Sequence, residues 1–90
     1  MPAKFQLSSC LTKNILHLHL LGEFDGSAAC ELIKKIEEDG SGAARILIDT
    51  TGLRSIHPFG KTVFQNRIGS LSRKLFGLTF VGKYKHQFES

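Results

Sequence analysis

The residues of this chain best suited to chemistry are its histidines. His57 sits in the stretch Ser55-Ile56-His57-Pro58-Phe59-Gly60-Lys61, beside a proline at a connection where a general base could be held. Such a role needs a nucleophile and an orienting acid within hydrogen-bond reach. Asp49, Thr50, Thr51 and Ser55 are near in sequence, but no nucleophile motif accompanies them. The sequence therefore predicts no enzyme and no catalytic residue. His17 and His19 lie two apart in an alternating run, so they point to one side of a strand, a spacing that can hold a metal. A metal site would need further ligands, and no H-x-x-x-H, cysteine pair or acid cluster supplies them. His86 lies in a polar stretch where solvation is expected. The stretch Gly40-Ser41-Gly42 lacks the lysine and the strand-before, helix-after setting of a phosphate loop. No cofactor and no metal are expected.

The bulk properties narrow the classes further. Ninety residues form one domain, 1–90, with room for one core but little for a deep substrate pocket. A 41% hydrophobic content with seven Phe fits a globular fold rather than disorder. The net charge of +4 is compatible with an anionic partner without implying one. Arg67, Arg73, Lys74, Lys83 and Lys85 could share a patch, but no nucleic-acid module accompanies them, so a solvated face is expected and no nucleic-acid partner. Cys10 and Cys30 form no C-x-x-C pair and are too few for a disulfide framework, as in a reduced, cytosolic protein. No apolar stretch approaches the ~20 residues of a membrane span, and MPAKFQLSSC lacks the apolar core of a signal peptide. The expected location is cytoplasmic, with no direct membrane insertion.

The elements that must position these residues follow from periodicity. Lys4 to Cys10 reads as a strand, Thr12-Lys13-Asn14 as a turn, and Ile15 to Gly22 as a second strand. In the second strand Leu16, Leu18 and Leu20 face one way, and Ile15, His17, His19 and Leu21 the other. Asp25 or Ser27 then caps a helix whose apolar face is Ala29, Leu32, Ile33 and Ile36, ending at Asp39-Gly40. Ile46-Leu47-Ile48 is a continuous apolar run, which predicts a strand buried on both faces. Thr50 to His57 reads as its connection to a second helix opening at Pro58, where a missing N–H is tolerated. Phe59, Val63, Phe64, Ile68, Leu71 and Leu75 form that helix's stripe, Gly77 ends it, and residues 78–82 are a last strand. Residues 83–90 read as a polar tail with one or two apolar anchors. The fold class is α/β: a small mixed sheet in the order β-β-α-β-α-β, with helices packed on it.

Two motifs in this frame carry a family likeness. The first is Gly22-Glu23-Phe24-Asp25, followed by the small residues Gly26-Ser27-Ala28-Ala29. The second is Asp49 at the end of an apolar run, then Leu53, Ile56 and the block His57-Pro58-Phe59-Gly60. Over residues 4–82 the sequence resembles the STAS domains of anti-sigma factor antagonists and sulfate transporters. In phosphorylatable members of that family, the first Ser or Thr of a D-S-S/T-G block accepts phosphate from a partner kinase that also acts as the anti-sigma factor. Here that position is Pro58, with His57 in place of the acid and Phe59 in place of the next small residue. The resemblance thus implies the architecture and a partner-binding surface, while the phosphoacceptor is missing. Ser55 and Thr51 are the neighbouring hydroxyls to which a phosphosite could have moved.

The surface so implied comprises Phe24, Asp25, Arg54, His57, Pro58, Phe59 and Lys61. A helix N-terminus offers free amides and a positive dipole end. Pro58 removes one donor and Phe59 adds bulk, which argues for an apolar protein contact over a phosphate cradle. An exposed Phe59 would be an anchor for a partner, and a buried one the first core residue of its helix. The implied function is a non-enzymatic interaction module of a bacterial partner-switching system, with an anti-sigma factor or kinase-like protein as partner. The alternative is an accessory subunit of a membrane transport or lipid-handling system. STAS domains commonly finish with a further helix, for which residues 83–90 leave little chain. Part of the sheet or helix layer is therefore expected to be uncovered and available to a partner or a homodimer.

Overall fold

A computed structural model of the protein describes residues 5–39, 43–71 and 77–89. Its elements are β1 (Phe5–Thr12), β2 (Ile15–Phe24), α1 (Gly26–Asp39), β3 (Arg45–Ile56), α2 (Pro58–Leu71), β4 (Leu78–Val81) and α3 (Lys85–Glu89). The expected link at 40–42, the patch residues Arg73 and Lys74, and the stripe residue Leu75 lie outside the described residues. Lys13 and Asn14 both take positive φ (51° and 67°), as a two-residue type I′ hairpin turn requires. β1 and β2 then pair antiparallel without a slip from Thr12↔Ile15 to Phe5↔Gly22. β2–β3 and β3–β4 are parallel, in the spatial order β1-β2-β3-β4. This is the small mixed sheet that the sequence predicts.

The leucine alternation fixes which face is covered. Leu16, Leu18 and Leu20 are buried with Ile46, Ile48, Leu32, Ile33 and Ile36 between the sheet and its helices. Ile15 and His17 on the opposite face are half-buried, and His19 and Leu21 are exposed. Leu47 is half-buried on that open face, so β3 is covered on one side, not on both as its apolar run predicts. The segment read as a connection, Thr50 to Ile56, is instead the second half of β3, with Leu53 buried. Gly52 misleads because it serves the sheet rather than a turn. A Cβ there would run into the Leu21 side chain and stand 2.7 Å from the Leu20 carbonyl oxygen. It lies where the β2–β3 register shifts, the setting in which a strand glycine permits close backbone approach.

The core does not stop at residue 82. Residues 85–89 form α3, whose Phe88 is 4% exposed. The Phe88 ring stacks on Phe80 at 5.3 Å and meets Phe24 and Phe64 edge-on at 5.0 and 5.7 Å. Thr50, fully buried, fastens the approach to this helix. Its hydroxyl donates to the Val81 carbonyl at 2.9 Å and accepts from the Tyr84 N–H at 3.0 Å. The stretch expected as a polar tail is therefore a short helix that plugs the aromatic core. Its one deep anchor does the work that a longer apolar stripe does in a longer helix. Replacing Phe88 by Ala removes a ring packed on three others and should cost about 3–5 kcal/mol, read as a lower urea midpoint with an unchanged slope.

Candidate functional site

The carboxyl ends of β2 and β3 lie side by side, with Phe24 opposite Ile56, and each strand launches a helix. The His57 N–H donates to the Phe24 carbonyl at 2.9 Å, which carries the pairing one residue past the strands. Of the two predicted caps for α1, Asp25 is the one used: its Oδ1 accepts the Ala28 N–H at 2.9 Å. In α2 the first helical bond runs from the Lys61 N–H to the His57 carbonyl at 3.1 Å. Pro58 holds the first helical position, where no N–H is required.

Gly60 fixes how closely the two helix starts approach. A Cβ at this position would lie 2.6 Å from both the carbonyl carbon and oxygen of Asp25. Only a glycine lets the first turn of α2 rest on the main chain of Asp25. Phe59 then swings its ring over the first turn of α1, so that a Cβ on Gly26 would meet Phe59 Cε2 at 2.8 Å. Even so, Phe59 is 70% exposed. It forms one wall of a shallow groove between α1 and α2, lined also by Ser27, Cys30, Glu31 and Val63. Below it the His57 imidazole lies 3.5 Å from the Glu23 carboxylate, both partly solvated.

The structure sorts the predicted surface residues. Asp25, His57, Pro58 and Phe59 come together at the paired helix starts, and Lys61 follows half-buried on the first turn of α2. Phe24 does not belong with them: its side chain is fully buried and touches Phe5, Phe64 and Phe88. It shapes the site from beneath and cannot meet a partner. Arg54 is exposed, but it lines a different hollow, with Gln6, Leu21, Gly22 and Gly52 toward the open sheet face. The sequence reading missed Cys30, whose thiol lies 3.9 Å from Arg67 Nη1 across the α1–α2 groove. Its spacing places it inside α1 but does not show that α2 faces it.

On the open face, the two strand histidines part company. His19 Nδ1 lies 3.3 Å from Asp49 Oδ2, its neighbour in the parallel register, and His17 is half-buried opposite Leu47. The register between β2 and β3 is the signal that would have found this pair. Asp49 Oδ1 also accepts the Thr51 N–H at 2.9 Å. Gly82, at φ 98°, packs against this corner, where a Cβ would stand 2.9 Å from Asp49 Oδ1. Among the described residues, no group of three His, Cys, Asp or Glu side chains could hold a metal ion.

With this geometry in hand, the comparison with solved structures is specific about architecture. The chain superimposes on the crystal structure of an antisigma-factor antagonist, a STAS domain from Rhodobacter sphaeroides, with a TM-score of 0.69. This is the STAS fold. The match covers 98% of this chain and 94% of that one at 16% sequence identity. No family model and no curated protein sequence matches the chain. Among the described residues, no helix is long and apolar enough to cross a membrane.

Asp49 has a measurable signature. Burial works to raise its pKa, but the backbone N–H and hydroxyl of Thr51, with His19 beside it, outweigh that and hold the carboxyl below its ordinary value. A carboxyl depressed in the folded state contributes stability above its unfolded pKa and loses it as the pH falls through the folded value. Asp49→Asn should therefore flatten the loss of stability below about pH 4, read from urea midpoints measured between about pH 7 and pH 3.

Proposed function

We propose that this domain is a non-enzymatic protein–protein interaction module of a bacterial partner-switching system, similar to anti-sigma factor antagonists, that docks its partner through the start of α2. The observation that carries this reading is the exposed Phe59 ring. It stands beside Pro58 and His57 at the paired helix starts, with its inner edge braced against Gly26. An aromatic ring already held in place loses little freedom on binding, and such rings dominate interface energetics. Pro58 has no hydroxyl to phosphorylate and leaves the helix start one N–H short, so recognition rests on shape and apolar contact at a position that uses a phosphate switch in phosphorylatable STAS domains. Control then falls to abundance or to the partner rather than to phosphorylation here.

Two measurements test this. Phe59→Ala should weaken capture of a kinase-type anti-sigma partner about tenfold or more while leaving the unfolding midpoint unchanged. Incubation with that kinase and ATP, followed by mass spectrometry, should find residues 55–61 unmodified. Phosphate on half-buried Ser55, or on exposed Thr51, would show that the switch has moved rather than gone. Co-purification with a transporter ATPase and no anti-sigma partner would replace this reading with the accessory-subunit one.

A further inference from the structure

The outer edge of β1 is built to pair with a further strand. β1 ends the sheet, with β2 on its inner side and no strand on its outer side among the described residues. Edge strands are normally guarded against pairing by brevity, charge, proline or a bulge. β4, the opposite edge, has only four residues. β1 has eight, Phe-Gln-Leu-Ser-Ser-Cys-Leu-Thr, with no charge and no proline, and its register with β2 is unbroken. The one large apolar side chain it exposes is Leu11, 62% accessible on the face that the helices cover elsewhere.

The hairpin turn determines which backbone groups face outward. A two-residue type I′ turn closes on a hydrogen-bonded Thr12–Ile15 pair, and such pairs then recur at every second residue. Thr12, Cys10, Ser8 and Gln6 therefore direct their amides and carbonyls to β2. Those of Phe5, Leu7, Ser9 and Leu11 point to the free edge. Their side chains share the helix-bearing face, since Leu7, Ser9 and Leu11 sit opposite the buried Leu20, Leu18 and Leu16.

We infer that the occupant of this edge is a second copy of the chain, paired antiparallel through β1 about a two-fold axis at Ser9. Centring on Ser9 keeps every side chain on its own face, as antiparallel partners must be. It sets Leu7 of each copy opposite Leu11 of the other, so that each exposed Leu11 gains an apolar partner. On the open face it pairs Ser8 with Cys10 and Gln6 with Thr12, all small or polar. The Ser9, Leu7 and Leu11 pairs supply about six new main-chain hydrogen bonds. Two chains of net charge +4 meet here without opposing charges, because the strand carries none. The inference is independent of the role assigned to the start of α2.

Sedimentation of the full chain over a concentration series should show a reversible monomer–dimer equilibrium. Ser9→Pro removes an N–H that the monomer leaves unused, and Ser9→Lys places two like charges face to face at the axis. Each should weaken dimerisation about tenfold or more with an unchanged unfolding midpoint for the monomer. Ser9→Cys, in a Cys10→Ser/Cys30→Ser background, should form a disulfide-linked dimer on mild oxidation, because the two residues face each other across the axis at a spacing a disulfide can bridge. Thr12→Cys in the same background should not. A chain that stays monomeric at every concentration, or a dimer indifferent to both Ser9→Pro and Ser9→Lys, overturns the inference.

Discussion

The buried ring of Phe24 is the contact on which the rest of this small domain depends. It closes β2, and the next residue, Asp25, caps α1. Its carbonyl receives the His57 N–H at the start of α2, and its ring meets Phe5 of β1, Phe64 of α2 and Phe88 of α3. One residue thus ties β1, α2 and α3 together and stands where α1 and α2 begin. Edge-to-face aromatic pairs contribute about 0.5–1.5 kcal/mol each beyond the area they bury. In a ninety-residue chain with one face of its sheet open, a cluster of such pairs replaces the second core layer that a larger domain would have.

Much of this was legible in the sequence because it rests on local rules. Leucines at every second position place β2, small residues and an acid place the start of α1, and Pro58 places the start of α2. What escaped depends on long-range packing. Gly52 looks like a turn because the reason for a glycine there lies on another strand, at Leu20 and Leu21. A five-residue helix has too few turns to show a period, so α3 is invisible until Phe88 finds its cluster. The motif reading puts Phe24 on the surface because the motif carries function, although the same motif must also anchor its loop from below.

Phe59 shows a subtler limit. Its spacing with Val63 fits an apolar stripe, yet the inward line of α2 runs through Gly60 and Phe64, both buried. A glycine at an inward position leaves no hydrophobic mark in the sequence, so Phe59 reads as the first member of the stripe in its place. The glycine is needed because the Asp25 main chain lies too close for any side chain. The close approach of the two helix starts therefore turns Phe59 outward. Phe59 is thereby left exposed beside Pro58 and His57, which are exposed as well.

The positions of the two proposed surfaces bear on whether they can act together. The helix starts lie at the carboxyl ends of β2 and β3, whereas the two-fold axis at Ser9 passes through the middle of β1. An antiparallel pairing within the sheet has its axis perpendicular to the sheet, so both helix layers fall on the same side. The two Phe59 rings then point to opposite ends of a continuous sheet built from two four-stranded halves. Neither surface covers the other, and a partner held at one end does not obstruct its counterpart. Such pairing would give the domain two equivalent docking sites. A partner that is itself dimeric would bind such a pair more tightly than a single site, provided its own sites span the length of the joined sheet.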